Sequence, residues 1–240
     1  MRDSIARMVG LTARSRTYRP QLQSLVSIFQ FIQPKRFLEV GAYEGRSAFL
    51  FSVLAALQDH SVPIHLTSVD SWQGGDEHQQ AMVAMDSVET CYDAVIQECR
   101  TLLPGPSIFE KIKSFSADAL ASIRNRRNFY DCILVDAGHK AKDVLEEMVH
   151  AWPLLRSGGV MILDDYTWIP RHQVSDRLIN APKLGIDSFL NCYADELTIL
   201  SNLPLLQMYL LKSLNTNSHY QAIGLELPPV PAVFENTGLV

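Results

Sequence analysis

Phe37-Leu-Glu-Val-Gly-Ala-Tyr-Glu-Gly-Arg-Ser47 decides the fold. Phe37–Val40 is short, apolar and stopped by Gly41, the pattern of a parallel strand buried on both faces. Ser47–Leu57 then reads as a helix with a strongly apolar face. The same strand, loop and helix order recurs downstream. Ile64–Val69 is the next strand, ending at Asp70, and 72–80 is a polar, glycine-containing loop. A helix is predicted over Met85–Leu103, stopped by Pro104-Gly105-Pro106, then a strand at Phe109–Lys113 and a short helix at Ala117–Ile123. Cys132–Val135 is a strand. Lys142–Leu155 is an amphipathic helix, with Val144, Leu145, Met148, Val149 and Trp152 on one face. Gly158-Gly159 is expected to end it before a strand at Val160–Leu163. A helix at Leu184–Tyr193 and strands at Glu196–Leu200 and Leu206–Leu211 complete the pattern.

Strands alternating with helices predict a mainly parallel sheet covered on both faces, a doubly wound, Rossmann-like α/β fold. The last two strands are joined by too few residues for a parallel crossover, so the sheet should end in an antiparallel hairpin. Residues 1–34 read as a helical cap, with Leu22, Leu25, Val26, Phe29 and Phe31–Ile32 at helical spacing and Pro34 ending the run. The main domain is placed at 35–212. The tail, 213–240, carries Pro228, Pro229 and Pro231 and is expected to be irregular, either mobile or wrapped around a neighbour. That tail and the apolar first helix suggest a homodimer.

Composition narrows the functional classes. A chain of 240 residues suits one α/β domain. With 47% hydrophobic and 20% charged residues it has the balance of a soluble globular protein. A net charge of −5 argues against a nucleic-acid partner bound by phosphate neutralisation. No apolar run approaches ~18 residues, so no membrane span is expected. Cys91, Cys99, Cys132 and Cys192 are scattered without a Cys-x-x-Cys pair, which suits thiols in a reducing compartment rather than a zinc site. The first thirty residues hold Arg2, Arg7, Arg14, Arg16 and Arg19 but no signal-type apolar core, and Asp3 weakens a basic presequence. A cytoplasmic location is the expectation.

In an open α/β sheet the ligand sits outside the carboxyl ends of the strands. After the first strand, Gly41 and Gly45 allow a tight turn and close approach of backbone to ligand. The following helix points its positive end at the same spot, which favours a carboxylate. The spacing is Gly-x-x-x-Gly, not the Gly-x-Gly-x-x-Gly of dinucleotide binders. Asp70 ends the second strand, placed to accept hydrogen bonds from ribose hydroxyls. The plainer alternative is a generic glycine turn beside a surface acid.

The Phe37–Ser47 segment resembles the first motif of class I S-adenosylmethionine methyltransferases and is close to the version in catechol O-methyltransferase. Val69-Asp-Ser-Trp-Gln-Gly-Gly75 resembles the second motif of a bacterial group that includes antibiotic-sugar O-methyltransferases. Phe129-Tyr-Asp-Cys-Ile-Leu-Val-Asp-Ala-Gly-His139 and Leu154-Leu-Arg-Ser-Gly-Gly-Val-Met-Ile-Leu-Asp-Asp-Tyr166 are similar to that group as well. The resemblance implies S-adenosylmethionine as cofactor. It places Glu39, Gly41 and Gly45 at the methionine end, with Ala42, Tyr43 and Ser47 in the same loop. Asp70 holds the ribose beside Ser71 and Trp72, Ser116, Ala117 and Asp118 lie near the adenine, and Asp136 completes the set. Ala137-Gly138 departs from the commoner Gly-Ser before the histidine.

Asp136 ends one strand, and Asp164 and Asp165 end its neighbour. Converging carboxylates repel one another, and a hard divalent cation resolves the repulsion. An all-oxygen set suits magnesium, calcium or manganese. His139, three residues beyond Asp136, has the pKa range of a general base. In the metal-dependent relatives a base occupies this position. The combined expectation is a metal-assisted O-methyltransferase acting on a small hydroxylated acceptor, a sugar or natural product. The competing readings are a metal-independent N- or O-methyltransferase and a non-catalytic cofactor-binding protein of the same fold. Glu77 and His78, Tyr166 and Trp168 are weaker candidates for the acceptor side, and Tyr18 and Arg19 for a lid.

Overall fold

A computed structural model describes residues 1–75, 78–79, 81–169, 178–213 and 221–239. Glu77 lies outside them, as do 214–220 of the tail. The elements are α1 (Arg2–Leu11), α2 (Arg19–Ile32), β1 (Arg36–Val40), α3 (Arg46–Gln58), β2 (His65–Asp70), α4 (Met85–Leu102) and β3 (Ile108–Lys113). They continue with α5 (Ser116–Ser122), β4 (Tyr130–Val135), α6 (Ala141–Ala151), β5 (Leu155–Leu163), α7 (Pro182–Cys192), β6 (Leu197–Ser201), β7 (Met208–Lys212) and β8 (Gln221–Gly224). The sheet order is β3-β2-β1-β4-β5-β7-β6-β8. The first five strands run parallel. Strand β7 lies antiparallel between β5 and β6, so the expected hairpin is present.

Burial on both faces explains the near-continuous apolar strands. Phe37, Leu66, Leu134, Ile162 and Tyr209 point to one face, which α1 to α4 cover. Leu38, Val69, Ile133, Met161 and Leu210 point to the other, covered by α5 to α7. Successive side chains alternate faces because a strand repeats every two residues. At the centre of the first layer, Phe37 stacks between Phe29 and Phe51, with ring centroids 5.6 and 5.1 Å away.

The first 34 residues are helical, as two helices joined by the segment 12–18. Two expectations are corrected. Helix α6 stops at Ala151 instead of Leu155, and Trp152–Leu154 forms one 3-10 turn containing Pro153. Proline removes an N–H and resists helix continuation. Gly158 and Gly159 therefore end no helix. They lie inside β5, where its register against β4 shifts between Tyr130 and Cys132. Finally, the tail gains strand β8, parallel to β6, and then seats on the chain's own amino-terminal helices. Gln23 Nε2 donates to the Pro228 carbonyl at 2.9 Å, Ser27 Oγ to that of Glu226, and Val230, Phe234 and Leu239 are buried. Among the described residues no helix is long and apolar enough to cross a membrane.

At the opposite end of the sheet from the strand carboxyl termini, Asp131 gathers several donors. Its carboxylate accepts the N–H groups of Lys35 and Arg36 at 2.9 and 2.8 Å and Arg156 Nε at 2.6 Å. Burial opposes ionisation, but these bonds outweigh it and hold the pKa below the usual value. A folded pKa below the unfolded one contributes stability above the unfolded pKa, lost as pH falls through the folded value. Asp131→Asn should therefore be less stable than wild type at neutral pH, with the gap closing below pH ~4 in urea titrations. Phe37→Ala should destabilise the fold by about 3–5 kcal/mol, read as a lower urea midpoint at unchanged slope.

Candidate active site

The parallel strands end level with one another. Gly41 N–H bonds the Val69 carbonyl at 2.9 Å, Asp136 N–H that of Val40 at 2.8 Å, and Asp164 N–H that of Val135 at 3.0 Å. Gly41 has φ +94°, and a Cβ there would overlap the Asp136 carbonyl. Only glycine fits. Beyond this point opens a cavity of about 750 Å³, walled by the ends of β1, β2, β4 and β5, the first turns of α3, α5 and α6, and residues 15–18.

Of the residues singled out for a cofactor, Gly41, Ala42, Tyr43, Ser47, Asp70, Ser71, Ser116, Ala117 and Asp136 line this cavity. Asp70 accepts Tyr43 N–H at 2.8 Å and Trp72 N–H at 2.7 Å, which fixes its carboxylate and leaves lone pairs for a ligand. Four others stand back from the lining. Gly45 caps α3 at φ +83°, and a Cβ there would meet Val95 and Tyr92 of α4, so its role is helix packing. Trp72 is buried against Tyr92, donates its indole N–H to the Tyr43 carbonyl at 2.9 Å and carries the Lys111 ammonium over its ring at 4.6 Å. It braces the loop from behind. Asp118 is exposed on α5. Glu39 is fully buried in β1, accepts Ser68 Oγ at 3.0 Å, and has its carboxyl pushed up to about 8 by burial.

The acids lie at one edge of the cavity, in a grouping that differs from the expected Asp136, Asp164 and Asp165. Asp136, His139 and Asp165 each offer an atom within 4.8 Å of the others, an arrangement able to hold a cation. His139 Nε2 lies 3.3 Å from Asp165 Oδ2, and its ring packs on Trp168 at 5.0 Å. Asp164 lines the same cavity but is engaged otherwise. It accepts Asp165 N–H at 2.8 Å and hydrogen-bonds the Asp136 carboxyl and Gln207. Burial first, then Asp164 and Asp165, raise the Asp136 pKa well above the usual range, and burial and Asp165 push Asp164 up to about 6. Tyr166 turns to α7, donating to Asp187 at 2.9 Å.

Sequence reasoning missed one part of the wall outright. Glu147 on α6 is 2% exposed, lines the cavity and accepts Gly138 N–H at 3.3 Å, and burial pushes it up to about 7. An acid on the buried stripe of an amphipathic helix was the available signal. Of the two lid candidates, Tyr18 lines the cavity, together with Ser15, Arg16 and Thr17, whereas Arg19 does not.

The family described as a methyltransferase domain matches residues 38–166. No curated protein matches the chain. The O-methyltransferase from Bacillus cereus, solved with SAH, is 19% identical with TM-score 0.57, covering 88% of this chain and 91% of its own. The O-methyltransferase TomG from Streptomyces achromogenes, solved with SAM, is 17% identical with TM-score 0.58, over 88% and 90%. The Podospora anserina methyltransferase PaMTH1, bound to SAH, is 15% identical with TM-score 0.57, over 88% of each chain. These likenesses establish the fold.

Gly41→Ala should lose about 2–4 kcal/mol from backbone strain and overlap with the Asp136 carbonyl. Thermal unfolding checks this, and a loss below about 1 kcal/mol would contradict the packing described.

Proposed function

This chain belongs to the methyltransferase domain family, and from that premise we propose that it transfers the methyl group of S-adenosylmethionine to a hydroxyl of a small acceptor, a sugar or natural product, with a divalent cation at the acidic edge of the cavity. The observation that carries the reading is the meeting, in one cavity, of the Gly41 turn, Asp70 and the Asp136–His139–Asp165 group. The α3 terminus and Ser47 suit the methionine carboxylate, because unpaired helix N–H groups favour an anion. Asp70 suits the ribose, and Ser116 and Ala117 the adenine.

Asp136 and Asp165, with Asp164 bonded behind them, would supply hard oxygen donors to magnesium or manganese. A cation held there would lower the pKa of an acceptor hydroxyl and orient it. The His139 imidazole, beside Asp165, would take the acceptor proton as the acceptor oxygen bonds the methyl carbon and the carbon–sulfur bond breaks, releasing S-adenosylhomocysteine. The cavity walls hold nucleophile and methyl in line, and that alignment supplies much of the acceleration. The grouping of His139 with Asp136 and Asp165 favours a second reading, in which the imidazole is itself a ligand and the site prefers manganese to magnesium.

Calorimetry should find S-adenosylhomocysteine and magnesium binding to wild type, with magnesium binding lost in Asp136→Ala and Asp165→Ala. Chelation should abolish methyl transfer to hydroxylated acceptors, and added magnesium restore it. His139→Ala should keep the metal while kcat falls by about 10²–10⁴. Loss of metal binding in that variant assigns the imidazole as a ligand. Wild type that binds no S-adenosylhomocysteine sinks the proposal.

A further inference from the structure

Glu44 sits within the loop between Gly41 and Gly45, yet it is fully buried and outside the cavity lining. Its carboxylate faces the segment joining α1 to α2. One oxygen accepts Arg14 Nη1 at 2.8 Å. The other accepts Arg14 N–H at 3.1 Å, Ser15 N–H at 3.0 Å and Ser15 Oγ at 3.0 Å. Arg46, two residues on, donates to Thr12 Oγ1 at 2.9 Å and to the Thr12 carbonyl at 2.6 Å. Arg14 also reaches Ser87 Oγ on α4 at 3.1 Å. The segment fastened this way, residues 12–18, contributes Ser15, Arg16, Thr17 and Tyr18 to the cavity wall.

A buried carboxylate stripped of its partners is expensive, so Glu44 and the segment are strongly tied. Its neighbours in the loop, Ala42 and Tyr43, line the cavity itself. The same few residues thus face a ligand on one side and grip the segment on the other. Anything that fixes the loop fixes the segment, and the coupling runs equally in both directions.

We propose that Glu44 is a positioning residue for the cofactor site, fastening residues 12–18 as a strap so that cofactor occupancy and strap closure stabilise each other. The inference rests on the reading of this cavity as an S-adenosylmethionine site. It differs from a purely structural role because it requires Glu44, which touches no ligand, to govern how long the ligand stays.

The strap carries tryptic sites after Arg14 and Arg16, whereas Arg19 precedes Pro20 and resists cleavage. In wild type, S-adenosylhomocysteine should slow cleavage after Arg16 by about tenfold. Glu44→Gln and Arg14→Met should each speed S-adenosylhomocysteine release by about tenfold, and the double variant should be no worse than either alone. The Arg14 side chain is 42% exposed, so Arg14→Met keeps the test open if Glu44→Gln folds poorly. Release rates in Arg14→Met within about twofold of wild type would overturn the proposal, as would strap cleavage indifferent to bound S-adenosylhomocysteine. Wild type that binds no S-adenosylhomocysteine instead overturns the cofactor reading beneath it.

Discussion

The backbone of Gly41 lies against the carbonyl of Asp136, and the rest of the site is built around that closeness. β1 and β4 are neighbours in the sheet because the chain winds outward from β1 through β2 and β3, then returns to β1's other side. This is where a crevice opens at the carboxyl ends of the strands. Each strand there is extended by one hydrogen bond, so the loops leave the sheet at a common level. Asp70, Asp136 and Asp164 consequently stand in one row. A side chain at Gly41 would push the first and fourth loops apart and separate the cofactor turn from the acids.

Residues whose position is set by the end of a strand were legible from sequence. Gly41, Asp70, Asp136, Asp164 and Asp165 belong to that class, because a buried strand announces its length by its apolar run. Which way a side chain turns one or two residues beyond the strand was not legible. Gly45 faces α4, Trp72 braces a loop from behind, and Asp118 points to solvent, although each lies in a segment that meets the cavity elsewhere. Glu39 shows the converse limit. It lies inside the sheet, bonded to Ser68, whereas the resemblance implied a place at the methionine end of the cofactor.

Boundaries failed where one residue type serves two purposes. Gly158-Gly159 resembles a helix stop, since glycine commonly follows a helix. Here Pro153 had already ended the helix, and the glycines serve the irregular pairing of β5 with β4, where a Cβ on Gly159 would press on the Asp131 carbonyl. The break at residues 12–18 carried a signal of its own. Pro20 sits in the first turn of α2, a mark of a helix start rather than a helix middle, and Gln21 Oε1 accepts the Tyr18 N–H there at 3.1 Å.

The acids around the cavity act against the fold that carries them. Burial raises Glu39 to about 8 and Glu147 to about 7, so as pH rises through these values the unfolded chain, which ionises earlier, gains on the folded one. Asp136 and Asp164 add mutual repulsion. Stability therefore gives no reason to keep these groups, and on the proposed reading a cation at Asp136 and Asp165 would offset the repulsion. On the proposed reading the donor is a sulfonium cation and the product a neutral thioether, while the metal is a dication. A dication would offset the acids that hold it, so only the carboxylate it leaves uncovered at the end of β2, Asp70, would favour the sulfonium over the thioether. The charge that Asp70 favours is the one that methyl transfer removes, so the field that binds the donor also loosens the product.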